Sequence, residues 1–227
     1  MSEYLVINIL TVAIPALLSY DKKIQFYKKL HAVFGSIIIV GIVFIIWDAI
    51  AASRNDWSFN PEYLLGIYFY KLPLEELFFF VSVPYSCLFL YETGLYYLGD
   101  KRVKFSKYIA LIAAGIIIIA GIIFLDQYYT FTVLLFSAIF LIVAVIFHKE
   151  LLASKLYWMF ISFTYIPFFI VNYFLTSLPI VEYNPLAIWG IRIISIPIED
   201  FFYSFSLLSF YLMVYLMLKR KWIREKT

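Results

Sequence analysis

The sequence predicts an all-α integral membrane protein of seven transmembrane helices. They form two parallel three-helix repeats, spans 1–3 and 5–7, joined by span 4, with the N-terminus outside and the C-terminus inside. Three observations predict this. Of the 227 residues, 64% are hydrophobic and 15% charged, whereas a soluble domain runs nearer half apolar and a quarter charged. The basic residues gather in alternate loops. One shift of 124 residues aligns the two halves of the chain.

A span requires roughly 17 to 25 largely apolar residues. Seven stretches qualify: 3–19, 30–52, 72–92, 107–125, 130–147, 156–176 and 193–218. All are expected to be helices, because lipid leaves no other way to satisfy the backbone and the alternation of a β-barrel is absent. The first stretch carries Glu3 ahead of its apolar core and has no small-residue cleavage site, so it reads as a retained span and not a signal peptide. Pro84 and Pro167 are expected to kink spans three and six. Trp47, Trp57, Trp158, Trp189 and Trp222 fall near span ends, as an interfacial aromatic belt predicts, and Tyr20, Tyr27, Tyr128 and Tyr129 join them. The chain is then one multi-pass domain of the cell membrane: a first repeat over 1–106, a connecting span over 107–129 and a second repeat over 130–227.

The loops set the orientation. Lys22, Lys23, Lys28 and Lys29 follow the first span. Lys101, Arg102, Lys104 and Lys107 follow the third, and Lys149 and Lys155 the fifth. Lys219, Arg220, Lys221, Arg224 and Lys226 end the chain. Fifteen of the 18 Lys and Arg residues thus share one side, which the positive-inside rule makes cytoplasmic. Arg54, Lys71 and Arg192 lie on the other side and read as snorkelling anchors.

The 124-residue shift brings Asn60-Pro61 onto Asn184-Pro185, Gly66-Ile67 onto Gly190-Ile191 and Pro73 onto Pro197. It also brings Glu75 onto Glu199, Glu76 onto Asp200, Phe78 onto Phe202 and Asp48 onto Asn172. Such self-similarity marks an internal repeat. Two copies entering the membrane in the same sense are related by an axis along its normal, and the natural place for a site is between them.

The chemistry centres on the acid pairs Glu75-Glu76 and Glu199-Asp200, each just after a proline at the start of an apolar run. Ionisable groups inside a span are costly and usually functional. Adjacent helical residues point about 100° apart, so one acid of each pair can face the bundle centre while the other meets a neighbour. Phe78, Phe79 and Phe80, with Phe202 and Tyr203 in the second copy, lie within one turn and are expected to contact the substrate. Desolvation among rings disfavours the charged carboxylate, a neutral acid can donate a proton, and ring faces stabilise a developing cation. This suits acid-started carbocation chemistry on an apolar substrate. The plainer alternative is ordinary helix-start chemistry, with proline at the first position and Glu in the first turn; duplication favours function. Asp48 and Asn172 either orient the acids or cap loops.

Other chemistries lack their signatures. His31 and His148 sit beside basic loops without metal-ligand spacing, and no phosphate loop or dinucleotide fingerprint occurs. No metal, cofactor or nucleic acid is expected. Cys87 is the only cysteine, which excludes a disulfide within the chain.

At Pro73-Leu-Glu-Glu76 and Pro197-Ile-Glu-Asp200 the sequence resembles the membrane-integral lycopene cyclases of the bacterial heterodimeric type, whose two small subunits each carry one three-span copy. It is similar to the fused versions found in archaea, some bacteria and the cyclase half of fungal bifunctional carotenoid enzymes. That family is distantly similar to ubiquinone-type prenyltransferases, but Asn55-Asp56 is too slight to supply their Asp-rich metal-diphosphate motif. The resemblance implies protonation of a terminal double bond of lycopene drawn from the bilayer, ring closure on the resulting cation and proton loss. The sum is an isomerisation, with lycopene passing through γ-carotene to β-carotene and membrane lipid as the surroundings. Glu75 and Glu199, identical in both copies, are expected to be the paired acid and base, with Glu76 and Asp200 as supporting carboxylates or the catalysts themselves. The ring isomer, the number of ends cyclised, the order of donor and base, and association between copies of the chain stay open. Two rival readings are a carotenoid hydratase, in which water quenches the same cation, and a proton-coupled membrane carrier, which the aliphatic middles of the spans oppose.

Overall fold

In a computed structural model, which describes residues 2–225, eight helices run in the order α1 (Glu3–Leu18), α2 (Leu30–Ser53), α3 (Leu74–Leu98), α4 (Lys107–Ile123), α5 (Tyr128–Phe147), the short α6 (Lys149–Leu152), α7 (Lys155–Ser177) and α8 (Ile198–Glu225). Lys226 lies outside the described residues, and Trp222 and Arg224 outside those whose side chains are described. Five helices are long and apolar enough to cross a membrane. The first and fourth expected spans are shorter apolar helices, α1 of 16 residues and α4 of 17.

The expectation of helix alone needs one correction. Six short strands, β1 (Trp57–Phe59), β2 (Tyr68–Phe69), β3 (Leu72–Pro73), β4 (Val181–Tyr183), β5 (Arg192–Ile193) and β6 (Ile196–Pro197), gather at one end of the bundle. Strands of two or three residues are too short to show a period in sequence. They form three antiparallel ribbons, β1–β4, β2–β3 and β5–β6. The bounds of β1, β2 and β3 coincide with those of β4, β5 and β6 at the 124-residue offset. In the β1–β4 ribbon, Trp57 pairs with Tyr183, Ser58 with Glu182 and Phe59 with Val181, so Ser58 faces its own counterpart. Asn60 N–H donates to the Ile180 carbonyl at 2.9 Å, and Asn184 N–H to the Asp56 carbonyl at 2.9 Å, the same bond made in each direction.

The helices of the two halves interleave. α1 packs on α3 and α5 on α8, while α2 lies against α8 and α7 against α3. Glycine permits the α2–α8 approach: a Cβ on Gly35 would stand 2.8 Å from Leu218 Cδ1, and one on Gly41 would stand 3.2 Å from the Tyr211 hydroxyl. Small residues that bring backbones together are the usual device where no hydrophobic force acts between helices. α4 packs chiefly along α5, leaving much of its surface exposed.

The interfacial readings are corrected in part. Trp47 and Trp57 are buried: Trp47 stacks on Phe136 and Trp57 meets Tyr129 edge-on. Tyr129 is also buried. Tyr20 and Tyr27 stack on each other at the exposed edge. Arg54 pairs with Asp56 at 2.5 Å and lies over the Tyr128 ring. Arg192 donates to the Ser195 carbonyl within its own hairpin.

At the opposite, basic end, buried Glu92 accepts from Lys29 at 2.6 Å, Lys219 at 2.5 Å and the Tyr215 hydroxyl at 2.7 Å. This joins the start of α2 to the ends of α3 and α8. Glu150 bridges Arg220 at 3.2 Å and Arg102 at 3.8 Å. Removing both cations, Lys29→Met with Lys219→Met, strands a carboxylate that burial desolvates and should cost about 3–5 kcal/mol. Glu92→Leu should cost less, because the two lysines can swing to water. Thermal melts in detergent would read the difference, and equal losses would remove the assigned role of the clamp.

Candidate active site

The hairpins deliver the acid pairs. The Leu74 amide donates to the Ile67 carbonyl at 2.8 Å, and the Ile198 amide to the Ile191 carbonyl at 3.0 Å. The first turns of α3 and α8 are therefore tied to the loops that precede them, and Gly66 and Gly190 take positive φ (78° and 89°) inside those loops, a conformation glycine adopts without penalty. The two acids of each pair then diverge, as helical geometry requires.

Glu75 and Glu199 turn back onto the loops. Glu75 Oε1 accepts the Leu65 amide at 2.6 Å, and Glu199 Oε1 accepts the Trp189 amide at 2.7 Å, the same bond in each copy. Thr130 adds a hydroxyl to Glu199 at 2.6 Å. The second oxygen of each glutamate is buried without a protein hydrogen-bond partner. Neither residue lines the large cavity described next.

Glu76 and Asp200 turn inward, into a cavity of about 550 Å³ that Asp48 and Asn172 also line. Glu76 Oε2 accepts the Tyr4 hydroxyl at 2.5 Å. Both oxygens of Asp200 are held by phenols, Tyr129 at 2.6 Å and Tyr183 at 2.9 Å. Asp48 lines the same cavity as Glu76, and its Oδ2 has no protein hydrogen-bond partner. Tyr183, in the β1–β4 ribbon, ties the halves together: burial first, and Asp200 next, hold its phenol well above the ordinary value, with Glu76 and Asp48 adding to the effect. It therefore acts as a hydrogen-bond donor and stays neutral. Among the described residues, no ion pair involves Asp48, Glu75, Glu76, Glu199 or Asp200, and no cluster suited to a metal ion occurs.

The walls are apolar and aromatic: Phe79 and Tyr203 of the expected contacts, with Trp57, Phe59, Phe168 and Phe174 besides. The other three expected contacts are corrected. Phe78 is 45% exposed on the outer face of α3. Phe80 is buried behind the cavity, its carbonyl accepting from Tyr211. Phe202 faces a separate apolar groove beside α4. Three consecutive phenylalanines on a helix cannot share a face. Asn172 lines the cavity while its amide donates to its own helix at Phe168.

Sequence reading missed Tyr4, Tyr129 and Tyr183. Tyr129 was assigned to the belt, and the register that brings it to Asp200 arises only when α5 packs on α8. A signal was available in hindsight: buried carboxyls without cations must find neutral donors, and tyrosine supplies one on an apolar body.

Comparison with known proteins places the chain in a family. The family model described as Lycopene cyclase matches residues 2–94 and again residues 126–218, two stretches set apart by the same 124-residue offset. The chain is 32% identical to a bifunctional lycopene cyclase/phytoene synthase of Podospora anserina over 82 residues, covering 36% of this chain and 14% of that protein. A protein of the same description from Colletotrichum graminicola is 32% identical over 77 residues, 33% of this chain and 12% of its own length. One from Arthroderma gypseum is 27% identical over 110 residues, 48% and 18% respectively. The matched stretches thus span less than a fifth of these relatives. No solved structure gives a significant match. The chain belongs to the lycopene cyclase family.

Proposed function

We propose that this protein is a lycopene cyclase, an isomerase that closes ionone rings on linear lycopene by acid–base catalysis without redox change or cofactor. In this reading it is an integral protein of the cell membrane with seven spans, α1 and α4 being the short ones. Residues 1–106 and 130–227 form parallel repeats joined by 107–129, with the N-terminus outside and the basic end inside. Support for that arrangement comes from the alternate loading of basic loops and from strand bounds that recur at one offset.

One observation carries the catalytic reading: three carboxyls from both halves, Asp48, Glu76 and Asp200, line a single aromatic-walled cavity. Glu76 beside Asp48 gives two carboxyls a place to hold one shared proton, and this pair is the donor. The proton goes to a terminal carbon–carbon double bond and leaves a tertiary cation. The neighbouring alkene attacks that cation, forming the ring bond and moving the charge into the ring. Asp200, with both oxygens accepting phenolic hydrogen bonds, suits the carboxylate form that takes the proton back, and the new ring double bond completes the balance. Tyr203, Phe79 and Trp57 offer ring faces to the cation, and an apolar wall excludes water that would quench it. Glu75 and Glu199, first expected to be the acid and base, hold the loops in shape in this reading.

Expression in a host that accumulates lycopene, with the pigments separated and weighed, tests the reading. Cyclised products of unchanged mass are expected. Unchanged lycopene beside well-inserted protein would defeat the proposal, and products heavier by one water would turn it towards a hydratase. Glu76→Gln and Asp200→Asn should each lower ring formation by roughly 10²–10⁴-fold, the usual weight of general acid–base catalysis, with the melting temperature little changed. Glu75→Leu and Glu199→Leu should instead lower stability, by about 1 kcal/mol, because each removes the hydrogen bond that ties the preceding loop to the helix. A full loss of chemistry at Glu75 with unaltered stability would reverse the assignment.

A further inference from the structure

The two flanks of the cavity differ although the sequence repeats. On the flank formed by α2, α5 and α8, Trp47 stacks on Phe136 with ring centroids 4.5 Å apart and planes within 7°. Phe44 meets Phe136 at 5.1 Å and Phe210 at 6.2 Å. These four rings close that side. At the 124-residue offset, α7, α1 and α3 carry Val171 in place of Trp47, Val12 in place of Phe136 and Ser86 in place of Phe210. Only Phe44 has an aromatic counterpart, Phe168. The ring plug is thus missing from one of the two equivalent flanks.

The cavity runs out through that flank. Its inner wall holds the buried carboxyls, while Leu10, Ile14 and Ile170, which also line it, are 68%, 65% and 57% exposed. α1 and α7 each pack on α3, and at the hairpin end a cluster of Tyr4, Leu175 and Ile180 bridges them as a roof. Below the roof the space between α1 and α7 opens sideways. On the plugged flank, Ile46 matches Ile170 in helix position and in exposure, at 56%, yet it borders no part of the cavity.

We propose that this gap is a lateral portal which admits one end of a linear hydrocarbon chain from the bilayer, and that Trp47 and Phe136 deny a second route. The inference rests on the cyclase reading and adds its consequence. A substrate with two reactive ends presents them in separate visits, with the unreacted half of the chain remaining in lipid. A cavity of about 550 Å³ lies within the range of sites for compact small molecules, roughly 300–1,000 Å³, and suits a chain end rather than a whole C40 polyene.

Matched surface substitutions test it, because both positions already face outward and tolerate bulk. Ile170→Trp should slow ring formation about tenfold, the scale of added bulk in a fitted space, and Val171→Trp should slow it further. Ile46→Trp should stay within about twofold of the unaltered protein, as a surface change far from the passage. In time courses, the one-ring product should accumulate before the two-ring product. Equal rates for Ile170→Trp and Ile46→Trp in a protein that does cyclise lycopene would overturn the portal alone. Two-ring product arising with no free one-ring species would overturn the separate visits. Failure of the unaltered protein to cyclise would overturn the portal together with the reading beneath it.

Discussion

Asp48, Glu75, Glu76, Glu199 and Asp200 are buried at one end of this bundle with no ion pair among the described residues, while Asp56, buried at the same end, is paired with Arg54. Burying an acid without a cation is tolerable only where neutral donors surround it, and the architecture of that end follows from this constraint. Hairpins lead into α3 and α8 so that backbone amides reach Glu75 and Glu199. Phenols arrive from α1, α5 and the β1–β4 ribbon to hold Glu76 and Asp200. The opposite end solves the same problem in the ordinary way, with lysines on Glu92. The contrast is between lysines on Glu92 and neutral hydrogen-bond donors on the two acid pairs.

The two copies have kept a frame and diverged within it. The frame is the hairpin, the proline and the inner glutamate that braces the loop, each present twice. Divergence falls on groups in the cavity wall and beside it: Asp48 against Asn172, Glu76 against Asp200, Phe79 against Tyr203, and Trp47 of the ring plug against Val171. A symmetric pair of half-sites would offer two equivalent acids and two equivalent doors. Changes at these few positions leave one acid beside a second carboxyl, the other braced by two phenols, and one flank sealed by rings.

Much of this was legible in the chain. Apolar runs identified the helices, five of which are long and apolar enough to cross a membrane. Proline beside paired acids, repeated at one offset, located the end of the bundle where the acid pairs are buried. The period of the helix also said that only one acid of each pair could face inward. Which one did so was not legible: Glu75 and Glu199, identical between copies, accept an amide of the preceding loop, while Glu76 and Asp200 line the cavity. Phe78, Phe79 and Phe80 were taken together for the same want of a reference direction, and the helix distributes them between surface, cavity and core.

The sequence alone therefore determined the class of molecule and the duplicated frame, since composition, period and spacing are local properties. Only the packed structure decided which carboxyls share a hollow, which tyrosines hold them and which flank stands open. Those depend on the rotation of each helix about its axis and on contacts between different segments of the chain, such as Tyr4 with Glu76 and Tyr129 with Asp200. No local pattern encodes them.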